Sequence, residues 1–227
     1  MKVGILFSGG KDSVYSALLA KRQGFEICCL ISLISENKES YMFHTPNISL
    51  TKFQAKSMNI PLIIKKTKGN KEEELNDLYD ILNKTKKKYS LDAIVSGAVY
   101  SVYQSSRIQK ICNDLKLIVF NPLWQIKEED LLKDLIKNNF EIILSGIFAY
   151  PLNNSFLGMK IDENFIKKFR DLNQKFGISM IGEGGEFESF VLNCPLFNKR
   201  LIVESFQDFC DSENSCIRKI KLKEFAI

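Results

Sequence analysis

The feature that most constrains the fold is a short apolar strand that runs directly into a glycine-rich turn. Val3–Phe7 is the apolar run, the sequence S-G-G-K-D-S occupies residues 8–13, and a helical pattern follows over Ser13–Arg22. Adjacent glycines let the backbone turn tightly and approach a ligand closely. The free N–H groups at the start of the helix then face an anion. This order of elements predicts an α/β fold with an anion-binding loop after its first strand.

The residues of this loop suit phosphate in particular. The hydroxyls of Ser8 and Ser13 are donors, Lys11 supplies a point charge and should be partly exposed, and Asp12 can cap the helix or help to hold Mg²⁺. The spacing matches neither a Walker A loop nor a G-x-G-x-x-G dinucleotide turn. A structural joint with glycine for steric reasons is the alternative. We predict phosphate binding by Ser8, Gly9, Gly10, Lys11, Asp12 and Ser13.

Strand-length apolar runs alternate with helical patterns up to Pro122, which is typical of a parallel sheet. Further strands are predicted over Glu26–Leu33, Leu62–Lys65, Leu91–Ser96 and Leu117–Phe120. Helices are predicted over Ile48–Met58, Glu72–Lys88 and Ser105–Leu115. The first of these helices has Leu50, Phe53 and Ser57 on one side. The sequence therefore predicts a parallel-sheet α/β domain over residues 1–122.

The pattern changes after Pro122 and predicts a smaller α+β domain over residues 123–227. Helices are predicted over Glu128–Asn138 and Glu163–Phe176, the second beginning after Asp162 and ending at Gly177. Strands are predicted over Glu141–Ile147, Ser189–Leu192, Arg200–Ser205 and Ile217–Phe225.

Composition excludes several classes of protein. The 227 residues are 45% hydrophobic and 26% charged, which is ordinary for a globular chain and not for a disordered one. A net charge of +5 permits an anionic partner, but a nucleic-acid-binding domain is often more basic, so no direct nucleic-acid binding is expected. No run approaches the length of a membrane span. One His and no C-x-x-C argue against a zinc site. We predict a cytoplasmic protein with reduced thiols and leave homo-oligomer formation open.

The S-G-G-K-D-S loop resembles the PP-loop of the N-type ATP pyrophosphatases, S-G-G-x-D-S. In that superfamily the loop grips the β,γ-pyrophosphate of ATP and leaves the α-phosphate open to attack, so that AMP and PPi are produced. The resemblance implies a PP-loop domain that uses ATP and Mg²⁺, with Lys11 as a catalytic residue. By analogy with such folds, where ligands lie at the carboxyl ends of strands, Ser32 and Gly97 complete the nucleotide site.

Further segments narrow the resemblance to one family. They are Y-M-F-H-T-P-N at 41–47, S-G-A-V-Y-S-V-Y-Q-S-S-R at 96–107, N-P-L-W at 121–124, G-E-G-G-E-F-E-S-F at 182–190 and C-P-L-F at 194–197. Together they resemble the diphthine–ammonia ligase family in its short archaeal form. Its members amidate diphthine, the modified His of translation elongation factor 2, with ATP and ammonium. The resemblance implies a C–N bond-forming ligase that works through an acyl-adenylate and has elongation factor 2 as its protein partner.

The acidic block supplies the groups that ammonium needs. Glu183, Glu186 and Glu188 lie within six residues, so that one carboxylate can hold ammonium and another can accept its proton. Glu186 and Glu188 face the same side if they begin a strand. A solvated acidic hairpin is the alternative. We predict Glu183 and Glu186 to be catalytic and Glu188 to contact the substrate.

The remaining candidates suit the charges of diphthine. Aromatic faces attract its trimethylammonium group, although an aromatic residue here can equally belong to the core. Arg107 can neutralise a carboxylate or phosphate, or can be a surface charge. His44 precedes a Thr-Pro-Asn turn, which favours a positioning role over proton transfer. The predicted substrate contacts, besides Glu188, are His44, Tyr100, Tyr103, Gln104, Arg107 and Trp124.

Two other functions remain open at this point. A PP-loop enzyme that adenylates a tRNA base would fit the mild basicity, although thiolating members usually need paired cysteines. A non-catalytic adenine-nucleotide sensor would need no second reacting site. Turnover of ATP to AMP separates an enzyme from a sensor, and the identity of the acceptor separates the two enzymes.

Overall fold

The computed structural model describes residues 1–35, 47–68 and 73–223. The chain divides into two compact units, Met1–Gln125 and Ile126–Ile227. The first contains a parallel sheet and the second an antiparallel sheet with helices. The predicted fold class, a parallel-sheet α/β domain followed by a smaller α+β domain, is confirmed.

The sheet of the first unit has five described strands in the order β3-β2-β1-β4-β5, and every pair is parallel. The strands are β1 (Lys2–Leu6), β2 (Glu26–Ser35), β3 (Leu62–Thr67), β4 (Ala93–Val95) and β5 (Ile118–Phe120). The helices are α1 (Lys11–Arg22), α2 (Thr51–Met58), α3 (Glu73–Tyr89) and α4 (Val102–Asp114). Successive residues Val3, Gly4 and Ile5 are all buried, as expected for a strand covered on both faces.

The strand order places a topological switch point between β1 and β4. The chain moves from β1 to β2 and β3 on one side, and then returns to β4 and β5 on the other. In open parallel sheets, ligands bind outside the carboxyl ends of the strands at this point. The loop at residues 8–13 follows β1 and Gly97 follows β4, so both lie at the expected place.

Two helices of the first unit begin earlier than predicted for local reasons. Helix α1 begins at Lys11 rather than Ser13, because Gly10 occupies its N-cap position. Helix α4 begins at Val102 rather than Ser105, because the Ser101 hydroxyl accepts a hydrogen bond from the Gln104 N–H at 3.3 Å and caps it. Helix α4 therefore starts after a capping side chain, whereas α1 follows Gly10 without one.

Helix α2 also buries a different side from the one predicted. Leu50 belongs to a 3-10 turn over Ile48–Leu50, and the α-helix starts only at Thr51. The predicted stripe of Leu50, Phe53 and Ser57 is therefore wrong for Leu50 and Phe53, which are half-buried, and only Ser57 is buried. The buried residues are Thr51, Gln54, Ala55, Ser57 and Met58.

The sheet of the second unit has four described strands in the order β7-β6-β9-β8, all antiparallel. Its elements are α5 (Glu128–Lys137), β6 (Glu141–Ile147), α6 (Glu163–Phe176), β7 (Phe187–Asn193), β8 (Val203–Ser212) and β9 (Ser215–Leu222). Its core includes stacked rings of Phe165 and Phe169, whose centroids are 3.9 Å apart, with Phe187 packed edge-on against both.

The β8–β9 hairpin differs most from the prediction. Strand β8 ends at Ser212, not Ser205, and nearly all of it is exposed, so apolar periodicity does not mark it. Its register places Cys210 opposite Cys216, and a disulfide joins the two. The expectation of reduced thiols is therefore wrong for this pair, because strand register brings together cysteines that lack C-x-x-C spacing.

The other four cysteines are free. Burial raises the pKa of the Cys29, Cys112 and Cys194 thiols to about 12. These three behave as small apolar core residues rather than as nucleophiles. Among the described helices, none combines the length and apolarity that a bilayer crossing requires. No group of three or more His, Cys, Asp or Glu side chains suited to a metal ion occurs in the described ranges.

Candidate functional site

The loop at residues 8–13 is held by hydrogen bonds among its own residues. The Ser8 backbone N–H and hydroxyl donate to the Ser13 hydroxyl oxygen at 3.3 and 3.2 Å. The Ser13 hydroxyl donates to the Gly10 carbonyl at 3.0 Å, and the Gly10 N–H reaches the Ser8 hydroxyl at 3.4 Å. The loop is thus ordered by contacts no more than five residues apart in the chain.

One more distant residue, Gln54 of helix α2, also braces the loop. Its amide nitrogen donates to the Gly9 carbonyl at 2.9 Å. Gly9 has φ of +81°, and a Cβ atom there would lie 2.3 Å from the Gln54 Oε1 atom. Gly9 is therefore needed both for its left-handed backbone and for this close approach. Sequence reasoning missed Gln54, because a polar residue within a helix carries no signal that it is buried against a loop.

Lys11 and Asp12 form an ion pair at the start of helix α1. The Lys11 ammonium lies 3.0 Å from the Asp12 Oδ2 atom, and Lys11 is only 4% exposed. The expectation of a partly exposed lysine is wrong, because the ammonium folds back onto its neighbour. Asp12 does not cap the helix either, since it lies inside the first turn.

The second oxygen of Asp12 meets the requirements of a cation ligand. Within the described residues, Asp12 Oδ1 is inaccessible to solvent and has no hydrogen-bond partner. A buried carboxylate oxygen normally has one. Carboxylate oxygens beside bound phosphates are the ligands that Mg²⁺ prefers. The donors of this loop therefore fit a phosphate with its magnesium ion.

Gly97 brings the β4–α4 loop against the loop at residues 8–13. A Cβ atom on Gly97 would lie 2.9 Å from both the Asp12 carbonyl carbon and the Ser13 nitrogen. These are backbone atoms that cannot move aside, so only glycine fits. The two loops that follow β1 and β4 therefore meet at the switch point.

Ser32 was predicted to lie at the end of its strand, but β2 continues to Ser35. It is 1% exposed, and its hydroxyl donates to the Phe7 carbonyl at 2.6 Å. The observed contact ties β2 to the chain entering the phosphate loop. Its predicted contact with the nucleotide stays a prediction.

The predicted substrate contacts of the first unit lie on α4 and in the loops beside it. The guanidinium carbon of Arg107 is 3.4 Å from the centre of the Tyr103 ring, and one of its nitrogens donates to the Tyr103 carbonyl. One face of Tyr103 is thus already covered by a cation of the same chain. Tyr100 is 39% exposed, Gln104 is in the capped first turn of α4, and Trp124 lies half-buried in the turn after β5. His44 lies outside the described residues.

In the second unit, the acidic block joins α6 to β7. Gly182 has φ of +75°, and a Cβ atom there would lie 2.7 Å from the Phe187 carbonyl oxygen. Phe187 is in the aromatic core, whereas Glu186 and Glu188 on either side of it are half-buried. This alternation is that of a strand, and the Phe148 N–H extends the ladder by donating to the Glu186 carbonyl at 2.8 Å. The carboxylates of Glu183, Glu186 and Glu188 are therefore half-buried at the entrance to β7.

The Glu186 carboxylate has two unlike oxygens. Oε1 accepts a hydrogen bond from the Ser179 N–H at 2.9 Å. Oε2 is inaccessible to solvent, and no partner for it exists among the described residues. The carboxylate is thus fixed through one oxygen, while the other has unused capacity to accept a proton or a hydrogen bond.

Two residues that sequence reasoning missed, Ser179 and Glu128, hold this block in place. The Glu183 N–H donates to the Ser179 hydroxyl at 3.1 Å. That hydroxyl donates to Glu128 Oε1 at 2.6 Å, and Glu128 Oε2 accepts from the Met180 N–H at 2.9 Å. Glu128 begins α5 next to Glu129 and Asp130, and no local signal distinguishes it from them.

Two protein-family models match the chain. Residues 1–118 match the diphthamide synthase N-terminal domain, and residues 127–224 match the diphthamide synthase C-terminal domain. Together the matches span nearly the whole chain.

Curated relatives carry a consistent name. "Diphthine--ammonia ligase" of Bos taurus is 34% identical, with 90% of this chain and 84% of that protein covered. The protein of the same name from Homo sapiens is 33% identical over the same shares, and that of Danio rerio is 30% identical with 95% and 91% covered. Among solved structures, a predicted subunit of tRNA methyltransferase from Methanocaldococcus jannaschii is 20% identical with a TM-score of 0.47, covering 86% of this chain and 98% of that one.

Proposed function

The chain belongs to the diphthamide synthase family and is a ligase of diphthamide biosynthesis, and we propose that it amidates diphthine on translation elongation factor 2 with ammonium and ATP. The products are diphthamide, AMP and PPi. The observation that carries the proposal is that one chain combines a preorganised phosphate loop with a braced loop of half-buried carboxylates. The proposal keeps the cytoplasmic location expected from the sequence, which a translation factor as substrate requires.

The first unit binds and orients the nucleotide. The N–H groups at the start of α1 and the Lys11 ammonium hold the β- and γ-phosphates. The hydroxyls of Ser8 and Ser13, which donate within the loop, keep its backbone in the shape that receives them. Asp12 would hold Mg²⁺ through Oδ1, which has no hydrogen-bond partner among the described residues. Gly9 and Gly97 permit the close approach of backbone, and Ser32 fixes the chain that leads into the loop.

ATP supplies the activation that a carboxylate needs before it can accept an amine, because the diphthine carboxylate is a poor acyl donor. The carboxylate attacks the α-phosphate of ATP and PPi leaves, which gives an acyl-adenylate with AMP as its leaving group. Arg107 neutralises negative charge on the substrate, and Tyr100, Tyr103, Gln104 and Trp124 contact it, with aromatic faces toward the trimethylammonium group.

The second unit prepares ammonium for attack. Ammonium has no lone pair until it loses a proton, so it needs an anionic site and a base together. Glu183 and Glu188 hold the cation, and the unpartnered Oε2 of Glu186 accepts its proton. The amine then displaces AMP, forming the C–N bond.

The test is one incubation with ATP, ammonium and diphthine-bearing elongation factor 2. Mass spectrometry of the factor should show one OH replaced by NH₂, and nucleotide analysis should show AMP and PPi. Omission of ammonium is the control and should abolish the mass change. ADP and phosphate as the main products would contradict the assignment. AMP formation without any change in the factor would favour the tRNA-modifying alternative.

A further inference from the structure

Ser179 and Glu128 lie outside every predicted set of site residues. Ser179 nevertheless forms hydrogen bonds to both Glu183 and Glu186, the glutamates assigned to ammonia chemistry. We propose that Ser179 and Glu128 are positioning residues, which fix Glu183 and Glu186 in the geometry that ammonia transfer requires. This inference rests on the proposed function of the acidic block.

Ser179 is the point at which the two glutamates are joined. Its backbone N–H holds the Glu186 carboxylate at 2.9 Å, and its hydroxyl oxygen accepts the Glu183 N–H at 3.1 Å and the Ile181 N–H at 3.3 Å. A single residue therefore sets the direction of one carboxylate and the backbone position of the other.

Glu128 determines which way the Ser179 hydroxyl points. A hydroxyl has one proton and two lone pairs. Donation of that proton to Glu128 Oε1 leaves the lone pairs facing Glu183 and Ile181. The 2.6 Å distance is typical of a hydroxyl bonded to a carboxylate. The Glu128 Oε2 contact to the Met180 N–H fixes the next peptide as well.

The arrangement leaves one oxygen of Glu186 for chemistry. Because Oε1 is engaged by Ser179, only Oε2 has its full acceptor capacity. If Ser179 loosened, the carboxylate could rotate and present either oxygen in several directions. Reactions that depend on aligned groups lose about 10²-fold when a group is misplaced by about 1 Å.

A helix-dipole effect does not explain Glu128. An anionic residue in the first turn stabilises a helix, and Glu129 and Asp130 supply that charge in the same turn. Glu129 pairs instead with Arg170 at 2.9 Å and Lys133 at 2.7 Å. Glu129→Gln is thus a matched control, because this substitution removes the same charge from the same turn and Glu129 has no hydrogen bond to the acidic block among the contacts described.

The experiment compares Ser179→Ala, Glu128→Gln and the double variant with Glu129→Gln and the wild type. In the presence of diphthine-bearing factor, PPi–ATP exchange reports nucleotide activation, and amide formation reports ammonia transfer. We expect each single variant to lower kcat for amide formation about 10²-fold, with the KM for ATP and the PPi exchange unchanged. The double variant should lose no more than the worse single variant, because both break one hydrogen-bonded unit. Ser179→Thr keeps the hydroxyl and should restore most of the rate, and Glu129→Gln should match the wild type.

Hydrogen exchange at the backbone amides supplies a readout that needs no turnover. Exchange at Met180 and Glu183 should accelerate in Ser179→Ala and Glu128→Gln, while amides in the core strand β6 keep their wild-type protection. Wild-type amidation in both single variants would overturn the inference, and so would equal loss of amidation and PPi exchange with general loss of protection. If the wild type makes no diphthamide, the proposed function fails. The hydrogen exchange of Met180 and Glu183 still decides whether Ser179 and Glu128 hold the acidic block.

Discussion

The two glycine-rich loops of this chain are held in place by different kinds of contact. The loop at residues 8–13 has hydrogen bonds between residues no more than five apart in the chain, and Gln54 donates to it from helix α2. The acidic block is held by Ser179, which is itself hydrogen-bonded to Glu128, 51 residues from it in the chain. Similar composition thus conceals different architecture. A loop that offers backbone N–H groups can be organised largely by the hydroxyls of its own residues, whereas a loop that presents carboxylates needs other side chains to aim them.

The sharpest way to separate the two loops is to neutralise the acidic one. Glu183→Gln and Glu186→Gln keep size and remove charge, so amide formation should fall 10²–10⁴-fold, the range of general-base catalysis. PPi–ATP exchange should persist, because carboxylate activation does not need this base. Both activities are measured on the same preparations. Wild-type amidation in both variants would remove the catalytic role from the block.

The complementary change is Lys11→Ala in the phosphate loop. Loss of a charge-assisted contact is worth about 1.5–3 kcal/mol, so both PPi exchange and amidation should fall about 10–150-fold. Because Lys11 is buried against Asp12, a denaturant titration must show how much stability is lost as well. Lys21→Ala, which removes an exposed cation from the last turn of the same helix, is the control. Unchanged ATP kinetics in a folded Lys11→Ala protein would refute its assigned role.

Two glycines test how rigid the acidic block is. Gly182 and Gly185 both have positive φ, so alanine at either should cost about 1–2 kcal/mol. Only at Gly182 would the new Cβ meet a backbone oxygen, at 2.7 Å, and nothing lies within 4 Å at Gly185. Gly182→Ala should therefore lose about 1–3 kcal/mol more of the free energy of unfolding. Equal losses of the free energy of unfolding in denaturant titrations would mean that the backbone near Gly182 shifts readily to accommodate the new Cβ atom.

The smallest effect concerns the control residue Glu129. Hydrogen bonds from Arg170, and then from Lys133, lower the pKa of its carboxyl from 4.5 to about 2. A lowered pKa means that the pair stabilises the folded state above about pH 4.5, and that this contribution is lost as the pH falls towards 2. The Glu129 side chain is 30% exposed and those of Arg170 and Lys133 are 44% and 54% exposed, so water screens these contacts. Glu129→Gln should therefore be only slightly less stable at neutral pH and indistinguishable from wild type near pH 2. A difference that grows on acidification would contradict this.

The parts of the fold with local signals could be predicted from the sequence. Strand β6 and helix α6 have their predicted bounds, the helix because the Asp162 carboxylate accepts two N–H groups at its start and Gly177 ends it in a left-handed conformation. The loop at residues 8–13 could be predicted as a candidate phosphate site because the residues that organise it are adjacent, and its role stays a prediction. Local chemistry, read in order, is enough for such elements.

What the sequence could not provide depends on contacts between distant residues. Strand β8 is exposed, so its length follows from its register with β9 rather than from an apolar pattern. The Cys210–Cys216 bond depends on the same register. In the sequence, Gln54 and Glu128 cannot be told apart from other polar residues on helices. Their roles follow only from the hydrogen bonds that each forms in the folded chain.

Trp124, half-buried in the turn after β5, has a spectroscopic consequence. It is the only tryptophan among the 227 residues, so the tryptophan emission of the protein comes from one indole in the first unit. Any change in that emission on adding ATP reports on this turn, and no labelling is needed. Fluorescence followed during unfolding reports mainly on the first unit, whereas the far-ultraviolet dichroism of the backbone sums over both. If the two transitions do not coincide, the units melt separately, and one free energy of unfolding cannot describe the chain.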